Sequence, residues 1–329
     1  MRYDLITIGD CTIDAFIKLK EASVQCDVRH EHCKLCVSFA DKIPYESLTV
    51  VPAVGNSSNV AVSAARLGLQ SAILTAVGKD MHGKQILDVY KKEGVGRDLV
   101  RINPKLDTNY HFVLTFGAER TILVKHHAYS YADPAKIDGA PWIYFSSMGE
   151  HTLPFHHKLA AFLKSHPKVK MGFNPGTFQL KLGKEKLRGI YRRTHILFVN
   201  REEATKILGS KSGDVKHLCN GLHRLGPKLV VVTDGPKGLY ASDGVSQYFL
   251  PAYPDPKPPV QRTGAGDATG AGIMAGLIYG LPLRDALRWG PANAASVVQH
   301  IGAQKGLLTK KELMAWLKKA PKRYTAKEM

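Results

Sequence analysis

Residues 260–274, VQRTGAGDATGAGIM, place one carboxylate, Asp267, directly behind a run of Thr, Gly, Ala and Gly. The small residues that follow have the pattern of a helix, and the free backbone N–H groups at a helix start favour an anion there. Gly264 and Gly266 would let that anion approach the backbone closely. A carboxylate in such a loop repels phosphate unless it deprotonates an attacking hydroxyl group or holds a metal ion. The stretch therefore indicates phosphoryl transfer, although a glycine turn before a capped helix has the same pattern.

Polar turns also follow strand patterns elsewhere in the chain. TDGPKG, residues 233–238, follows an apolar strand, and NREE, residues 200–203, follows the strand HILFV. Asp14 comes after the first strand, and Asn59 lies on an early helical turn. Ligands of open α/β sheets bind at the carboxyl ends of the strands. We expect these turns to meet at that edge, although each alone is also typical of a cap or a turn.

The elements that must position these residues alternate between strand and helix over most of the chain. Apolar β-branched strands such as KLVVVTDG, separated by helical patterns, indicate a parallel sheet covered on both faces. Two β-rich segments, about 15–50 and 105–126, lack a helical period and predict a small second sheet. The second of them has the pattern of a hairpin that turns at Gly117-Ala118. We expect one α/β domain over residues 1–329, with a lid made from these two segments.

Composition narrows the class of protein. The 329 residues are 44% hydrophobic and 22% charged, which is ordinary for a folded domain. No apolar run reaches the ~18 residues of a membrane span, and no signal peptide is recognisable, so we expect a cytoplasmic protein without membrane contact. The net charge of +18 favours anionic partners. The basic residues are spread over many segments and no nucleic-acid-binding motif is present, so we do not expect a nucleic-acid partner.

The five cysteines do not form an obvious disulfide framework, because an odd number in a cytoplasmic chain argues against one. Cys26, Cys33 and Cys36 fall in CDVRHEHCKLC together with His30 and His32. The CxxC spacing is that of a zinc knuckle, which Cys26 and a histidine would complete. The alternative is that these cysteines are thiols packed in an excursion between strands.

The chain resembles the ribokinase-like (PfkB) carbohydrate kinase family from residue 3 to about residue 320. The resemblance rests on GNSSNVAVSAARLG near the start and TGAGDATGAGIMAGL near the end, with NREE, TDGPKG and GKDMHG between them. It implies a Rossmann-type three-layer α/β/α sandwich with a small β-sheet lid, which often joins two subunits as a homodimer. It also implies an ATP- and Mg²⁺-dependent kinase that phosphorylates a primary hydroxyl group of a sugar, a sugar phosphate or a nucleoside.

The resemblance implies a role for each matched residue. Asp267 would be the catalytic base, and the backbone N–H groups of Gly264, Ala265 and Gly266 would form the anion hole. Asp14, Gly55 and Asn59 would bind the hydroxyl groups of the acceptor. Asn200 and Glu203 would bind Mg²⁺ and phosphate through water. Thr233, Gly235 and Gly238 would contact the nucleotide, and Asn293 would lie on its adenine side.

The chain departs from the family pattern at three places. The late motif usually begins Asp-Thr-Thr-Gly, and its first Asp helps to bind an activating monovalent cation, but Gln261 and Arg262 stand here. Activation by K⁺ is therefore in doubt, and we expect Arg262 to supply positive charge near the anion hole instead. Val54-Gly55 replaces the usual Gly-Gly pair. The cysteine-rich excursion lies where the lid should be, and the family does not require it.

A sugar kinase is the leading interpretation, and a nucleoside kinase is the nearest alternative. A sugar phosphate is a further alternative, because Arg120, Lys125 and the basic balance could hold a second phosphate. A catalytically silent sugar- or nucleotide-binding protein belongs to a different class, as does a basic nucleic-acid binder. The presence of Asp267 with all three cradle residues argues against a silent protein.

Overall fold

The computed structural model describes residues 3–27, 33–117, 119–137 and 139–329, which form sixteen strands and ten helices. The strands are β1 Leu5–Ile8, β2 Thr12–Leu19, β3 Ser23–Gln25, β4 Lys34–Cys36, β5 Tyr45–Val54, β6 Ser71–Gly78, β7 Val100–Asn103, β8 Tyr110–Phe116, β9 Glu119–Leu123, β10 Trp142–Phe145, β11 Lys170–Phe173, β12 Thr194–Asn200, β13 Leu229–Thr233, β14 Leu239–Ser242, β15 Gln247–Leu250 and β16 Lys327–Glu328. The helices are α1 Asn56–Arg66, α2 Met81–Lys92, α3 Leu153–Ser165, α4 Thr177–Lys186, α5 Arg188–Arg193, α6 Arg201–Leu208, α7 Val215–His223, α8 Ala265–Ile278, α9 Leu283–Val297 and α10 Lys310–Lys319.

Ten strands form one large sheet in the order β16-β15-β14-β13-β12-β11-β10-β1-β6-β7. The strands from β13 to β7 in this order are parallel, and β14, β15 and β16 extend one edge in antiparallel fashion. The strand order reverses between β1 and β10. In such sheets the crevice outside the carboxyl ends of the two strands at the reversal is where ligands bind.

Two separate sets of helices cover the faces of this sheet, because successive side chains of a strand point to opposite faces. Ile143 and Phe145 of β10 pack in the core beneath α3, α5, α6 and α7. Trp142 and Tyr144 pack in the core beneath α1, α8, α9 and α10. The predicted three-layer arrangement is therefore confirmed. None of the helices in the described part of the chain is long and apolar enough to cross a membrane.

Helix α8 packs against α9 without room for a side chain at two positions. A Cβ atom added to Gly272 would lie 2.6 Å from the carbonyl oxygen of Trp289, and one added to Gly276 would lie 2.9 Å from Ala286 Cα. Interiors are packed too densely to absorb such overlaps cheaply. The small-residue pattern of α8 therefore lets two backbones approach each other and buries residues 267–276 of the helix in the body of the protein.

The lid is a four-stranded sheet in the order β5-β2-β8-β9, and it confirms the second sheet that the sequence predicts. Strands β8 and β9 form the predicted hairpin, with Gly117 in the left-handed conformation at its turn (φ 61°). Ala118 lies outside the described residues.

The lid has two chemically different faces, because residues directly opposite each other on paired strands lie on the same face. We call one the outer lid face; it carries apolar side chains: Ala15, Ile17, Leu48, Val50, Phe112, Leu114 and Leu123. We call the other the inner lid face; it turns toward the body of the protein. Most of its side chains are polar, and four are apolar: Asp14, Lys18, Ser47, Thr49, His111, Thr115 and Arg120, with Phe16, Val51, Val113 and Ile122.

The cysteine-rich excursion differs from the expectation. Cys26 and Cys33 form a disulfide at the end of the antiparallel pair β3 and β4, whereas Cys36 is a free thiol. Sulfur atoms joined in a disulfide are not thiolate ligands, so the predicted zinc set of Cys26, Cys33 and Cys36 is wrong, as is the argument against any disulfide. Within the described ranges no three His, Cys, Asp or Glu side chains could hold a metal ion together, and His30 and His32 lie outside those ranges.

Candidate active site

The residues predicted to carry chemistry meet around Asp267, in the first turn of α8. This carboxylate is only 6% exposed. Asn56 Nδ2 donates a hydrogen bond to Oδ1 at 2.7 Å, and Asn59 Nδ2 donates one to Oδ2 at 2.7 Å. Both amides come from the first turn of α1, more than 200 residues earlier in the chain. Packing of α1 against α8 therefore holds each carboxylate oxygen in a defined direction.

A third side chain fixes the orientation of Asn59. Gln304 Nε2 donates to Asn59 Oδ1 at 3.1 Å and to the carbonyl oxygen of Ala53 at 2.6 Å. Since the oxygen of Asn59 is used in this way, its Nδ2 group is turned toward Asp267. Gln304 therefore acts on the carboxylate through Asn59, which is 4% exposed.

Burial raises the pKa of the Asp267 carboxyl group above its usual range, and the hydrogen bonds from Asn59 and Asn56 partly oppose that rise. Burial disfavours the charged form, whereas amide donors stabilise it. A carboxylate with a raised pKa is a stronger base than an exposed one. The site thus combines a buried base with donors that keep it ionised and oriented.

The backbone beside Asp267 forms an open cradle at the start of α8. Gly264 adopts the left-handed conformation (φ 82°), and a Cβ atom there would lie 2.4 Å from Ala303 Cβ. A Cβ atom on Gly266 would meet nothing within 4 Å. Packing therefore requires a glycine at 264 but not at 266, where the space is left for a ligand. Thr263 Oγ1 is buried with no hydrogen-bond partner among the described residues, which is also consistent with a polar ligand here.

A cavity of about 530 Å³ opens from this cradle, and we call it the α8 cavity. Its polar side contains residues predicted for the nucleotide and for phosphate: Asn200, Thr233, Gly235, Gly238, Ala265 and Gly266. Its other side is mainly apolar and includes Tyr253, Pro291, Ala294, Ala295 and Val298. An apolar slot that ends in a polar backbone cradle suits a flat heterocycle that carries phosphate groups.

Asn293 does not take part in this cavity, which corrects the prediction that it contacts adenine. The side chain is fully buried. Its Nδ2 donates to Ser63 Oγ at 3.0 Å and to the carbonyl oxygen of Ala268 at 3.1 Å, and its Oδ1 accepts from Leu308 N at 3.0 Å. Asn293 thus joins α1, α8 and α9, while its neighbours on α9 face the cavity.

Asn200 and Glu203 cap the start of α6. Glu203 N donates to Asn200 Oδ1 at 2.8 Å, and Asn200 N donates to Glu203 Oε2 at 2.9 Å. Burial raises the pKa of Glu203, and the backbone N–H group of Asn200 partly opposes that rise. Carboxylate and amide oxygens are the ligands that Mg²⁺ prefers, so Asn200 and Glu203 fit a divalent cation bound together with phosphate.

Asp14 and His111 face each other on the inner lid face. His111 Nδ1 lies 3.5 Å from Asp14 Oδ1. Both Asp14 Oδ1 and His111 Nε2 are buried and have no hydrogen-bond partner among the described residues. Leaving such atoms unpaired is costly, so a polar ligand is the simplest partner for them.

A second buried carboxylate, Asp10, lies at the reversal between β1 and β10. It accepts hydrogen bonds from Tyr131 Oη, from Gly149 N at 2.8 Å and from His126 Nδ1 at 2.9 Å. The His126 ring is in edge contact with Phe178, with ring centroids 5.4 Å apart. Asp10 therefore orients an imidazole and an aromatic wall beside the lid.

Sequence reasoning missed this wall and the amide of Asn56. Asn56 lies in the GNSSN motif, so its neighbourhood was identified but its contact with Asp267 was not. For His126 and Phe178 the local pattern carries no signal, because their contacts join separate segments of the chain.

A second cavity, of about 570 Å³, lies between the inner lid face and the segment before α8, and we call it the lid cleft. The lid contributes Phe16, Lys18, Ser47, Thr49, Thr115, Gly117, Glu119 and Arg120, and the body contributes Pro259, Val260, Gln261, Arg262 and Ile301. Arg262 also lines the α8 cavity, so the two cavities adjoin at its side chain.

Comparison with known proteins agrees with this geometry. The model of the pfkB family of carbohydrate kinases matches residues 24–310. A cytidine kinase of Thermococcus kodakarensis is 32% identical over 268 residues, which cover 75% of this chain and 88% of that protein. In fold, the chain is similar to a ribokinase of Arabidopsis thaliana complexed with ribose and ATP (TM-score 0.80, 20% identity, 97% and 99% of the two chains). It is also similar in fold to a putative ribokinase II of E. coli in complex with ATP and Mg²⁺ (TM-score 0.77, 18% identity, 96% and 99%).

We predict that Asn59→Ala raises the pKa of Asp267 further, because the carboxylate loses a hydrogen-bond donor that stabilises its charged form. A ¹³C NMR titration of the Asp267 carboxyl carbon, assigned by its loss in Asp267→Asn, measures the shift. Asn220→Ala is the matched control, since this exposed side chain of α7 lies outside the site. An unchanged pKa in Asn59→Ala would show that the amide does not stabilise the ionised carboxylate.

Proposed function

The chain belongs to the PfkB family of carbohydrate kinases, with the ribokinase-like fold, and on that premise we propose that it transfers the γ-phosphate of ATP to a primary hydroxyl group of a sugar. The observation that carries the proposal is the position of Asp267. Its carboxylate is buried directly behind an open backbone cradle that lines the α8 cavity, and this cavity adjoins the lid cleft at Arg262. A base and an anion site that share one helix start can serve the same reaction centre.

In the proposed reaction, Asp267 accepts the proton of the acceptor hydroxyl group while the oxygen of that group bonds to the γ-phosphorus. The bond between the γ-phosphorus and the β–γ bridging oxygen breaks, and its electron pair leaves with ADP. The backbone N–H groups of Gly264, Ala265 and Gly266 stabilise the negative charge on the transferred group. Water is kept from the base by burial, since Asp267 is 6% exposed.

The α8 cavity would bind the nucleotide. Thr233, Gly235 and Gly238 line its polar side, and Gly238 leaves no room for a side chain, since a Cβ atom there would lie 2.2 Å from the carbonyl oxygen of Leu250. Glu203, with Asn200 and through water, would hold Mg²⁺, which neutralises charge on the β- and γ-phosphates when bound. Asn200 and Glu203 hold each other in place before any ligand arrives.

Asp14 would bind hydroxyl groups of the acceptor, with His111 beside it as a second polar contact. Asp14 Oδ1 and His111 Nε2 are buried and have no hydrogen-bond partner among the described residues, which supports this assignment. Gly55 lies against the strand end that carries the lid, since a Cβ atom there would lie 2.6 Å from the carbonyl oxygen of Asp10. Asn59 would act mainly through Asp267, to which its amide is turned.

A nucleoside acceptor is the second candidate. The observation that favours it is the ring pair of His126 and Phe178, which offers an aromatic wall to a base attached to ribose. The 32% identity to a cytidine kinase points the same way. The cytoplasmic location expected from the sequence stays a prediction.

We also propose that the protein forms a homodimer through the outer lid face. Leu48, Val50, Phe112 and Leu123 lie together there and are between 44% and 52% exposed. A sheet that exposes a contiguous apolar face is normally covered by a partner there. A second copy supplies the same face and closes the pair by two-fold symmetry.

Arg262 would supply positive charge to the reaction in place of a bound K⁺ ion. The neighbouring Gln261 is neutral, and its Oε1 already accepts a hydrogen bond from Gly302 N at 2.9 Å. Arg262 makes no ion pair with any described residue and lies where the two cavities adjoin.

We predict that Asp267→Asn lowers turnover at least ~100-fold, because it removes the general base. ADP release is measured with Mg-ATP across sugars, nucleosides and sugar phosphates. Asp243→Asn, an exposed turn carboxylate, is the matched control and should keep the wild-type rate. If no acceptor stimulates the wild type, or if Asp267→Asn keeps the rate, the proposed reaction is wrong; binding, including salt-sensitive nucleic-acid binding, would then be tested.

We predict that the wild-type rate is the same in potassium and in choline buffers, whereas Arg262→Gln lowers kcat at least ~10-fold through lost charge stabilisation. Lys257→Gln is the control, since this exposed lysine on the same segment lines neither cavity. Strong dependence of the wild-type rate on K⁺ would contradict the proposed role of Arg262.

We predict that the wild type is a dimer and that Val50→Glu with Phe112→Glu raises its dissociation constant at least ~30-fold, since two central apolar contacts are lost. Light scattering after size-exclusion chromatography measures the mass over a dilution series. Val245→Glu, at an exposed turn distant from the lid, is the control. A wild-type monomer at every concentration would rule out the interface.

A further inference from the structure

We propose that the lid cleft is a second anion-binding site that holds a phosphate group, contributed either by the acceptor or by the nucleotide. The identity of the acceptor rests on the proposed kinase function, whereas binding of phosphate in the cleft does not. The residues that carry the inference are Lys18 and Arg120 of the lid, with Arg262 opposite them.

A row of hydrogen-bond donors crosses the whole inner lid face. Lys18 lies opposite Ser47 on one neighbouring strand and opposite Thr115 on the other, and Thr115 lies opposite Arg120. Strands in a sheet are about 4.8 Å apart, so the row is roughly 14 Å long. All four residues line the lid cleft.

The charge of the cleft is positive. Lys18, Arg120 and Arg262 contribute three cations, and Glu119 contributes one anion. Arg120 and Arg262 form no ion pair with any described residue. Lys18 Nζ lies 2.7 Å from Glu46 Oε1, but both side chains are about half exposed, and such a surface pair contributes only about 0–1 kcal/mol. Lys18 can therefore exchange Glu46 for a ligand at little cost.

The donor types fit phosphate better than a neutral sugar. Guanidinium groups bind phosphate oxygens in pairs, and lysine and hydroxyl groups add single donors. Phe16, Val260 and Ile301 supply apolar surface around these donors. A cleft of this size, about 570 Å³, lies within the range of small-molecule sites.

Two sources could supply the phosphate. Asp14, Phe16 and Lys18 follow one another on the inner lid face, so an acceptor held by Asp14 can extend along β2 toward Lys18 with a phosphate of its own. Alternatively, a phosphate of the nucleotide could reach the cleft past Arg262, which lines both cavities.

The test is the double variant Lys18→Gln and Arg120→Gln, with Lys20→Gln as the matched control, because Lys20 lies just beyond β2 and does not line the cleft. Direct binding of inorganic phosphate and of ADP is measured by calorimetry. KM is measured for Mg-ATP and for sugars and nucleosides with and without a phosphate group. Arg120→Lys is included because it keeps the charge but loses the paired donors.

We expect the double variant to raise the dissociation constant of phosphate at least ~10-fold, because one to two charge-assisted hydrogen bonds are lost. A matching rise in KM for phosphorylated acceptors alone supports the acceptor as the source. A matching rise in KM for ATP and weaker ADP binding support the nucleotide. Phosphate binding equal to that of the Lys20→Gln control overturns the proposal.

The proposed reaction is judged separately. If the wild type phosphorylates no acceptor but its phosphate binding still depends on Lys18 and Arg120, the kinase proposal fails and the cleft stands. If turnover requires Asp267 but phosphate binding and every KM are unchanged in the double variant, the kinase proposal stands and the cleft fails.

Discussion

The burial of one carboxylate organises the site. A buried charge is costly unless neighbouring groups donate to it. Asp267 has such donors because α1 brings Asn56 and Asn59 against the start of α8. Helix α8 can reach that depth because Gly272 and Gly276 let it lie directly against α9. The reactivity that we assign to Asp267 therefore depends on close backbone packing about 8 to 14 Å further along the same helix, at about 1.5 Å per residue.

The residues that we propose for acceptor binding belong to other elements. Asp14, His111, Lys18 and Arg120 lie on the lid strands, whereas His126 lies in the loop after β9 and Phe178 in the first turn of α4. Strand β2 of the lid follows β1, which is next to the reversal of strand order in the large sheet. The residues proposed for acceptor binding and for phosphoryl transfer are thus supplied by separate elements.

Local patterns predicted most of the fold and the centre of the site. Gly264 and Asp267 are near neighbours in sequence, so their shared position follows from one helix start. The two hydrogen bonds to that carboxylate could not be predicted from local pattern, because Asn56 and Asn59 lie 211 and 208 residues away. The contact of Asn293 depends on its direction around the axis of α9. Its side chain points into the body of the protein, whereas its neighbours on α9 face the α8 cavity.

The cysteines also show that local sequence pattern does not decide which side chains meet. The spacing of Cys33 and Cys36 is that of a zinc knuckle, yet the pairing of β3 with β4 sets Cys26 beside Cys33. Spacing along the chain identifies residues that can act together, but the register of two strands decides which of them meet.

The alternation of side chains in the lid strands has an evolutionary consequence. Residues at even and odd positions of β2 serve different surfaces, the cleft on one side and the apolar face on the other. Substitutions on one surface leave the other unchanged, so the two surfaces can diverge independently. A one-residue insertion or deletion in β2 would instead exchange the two sets, placing Lys18 on the outer lid face and Ile17 over the lid cleft. Lineages of this protein should therefore keep the length of this strand even where the residues on either surface differ.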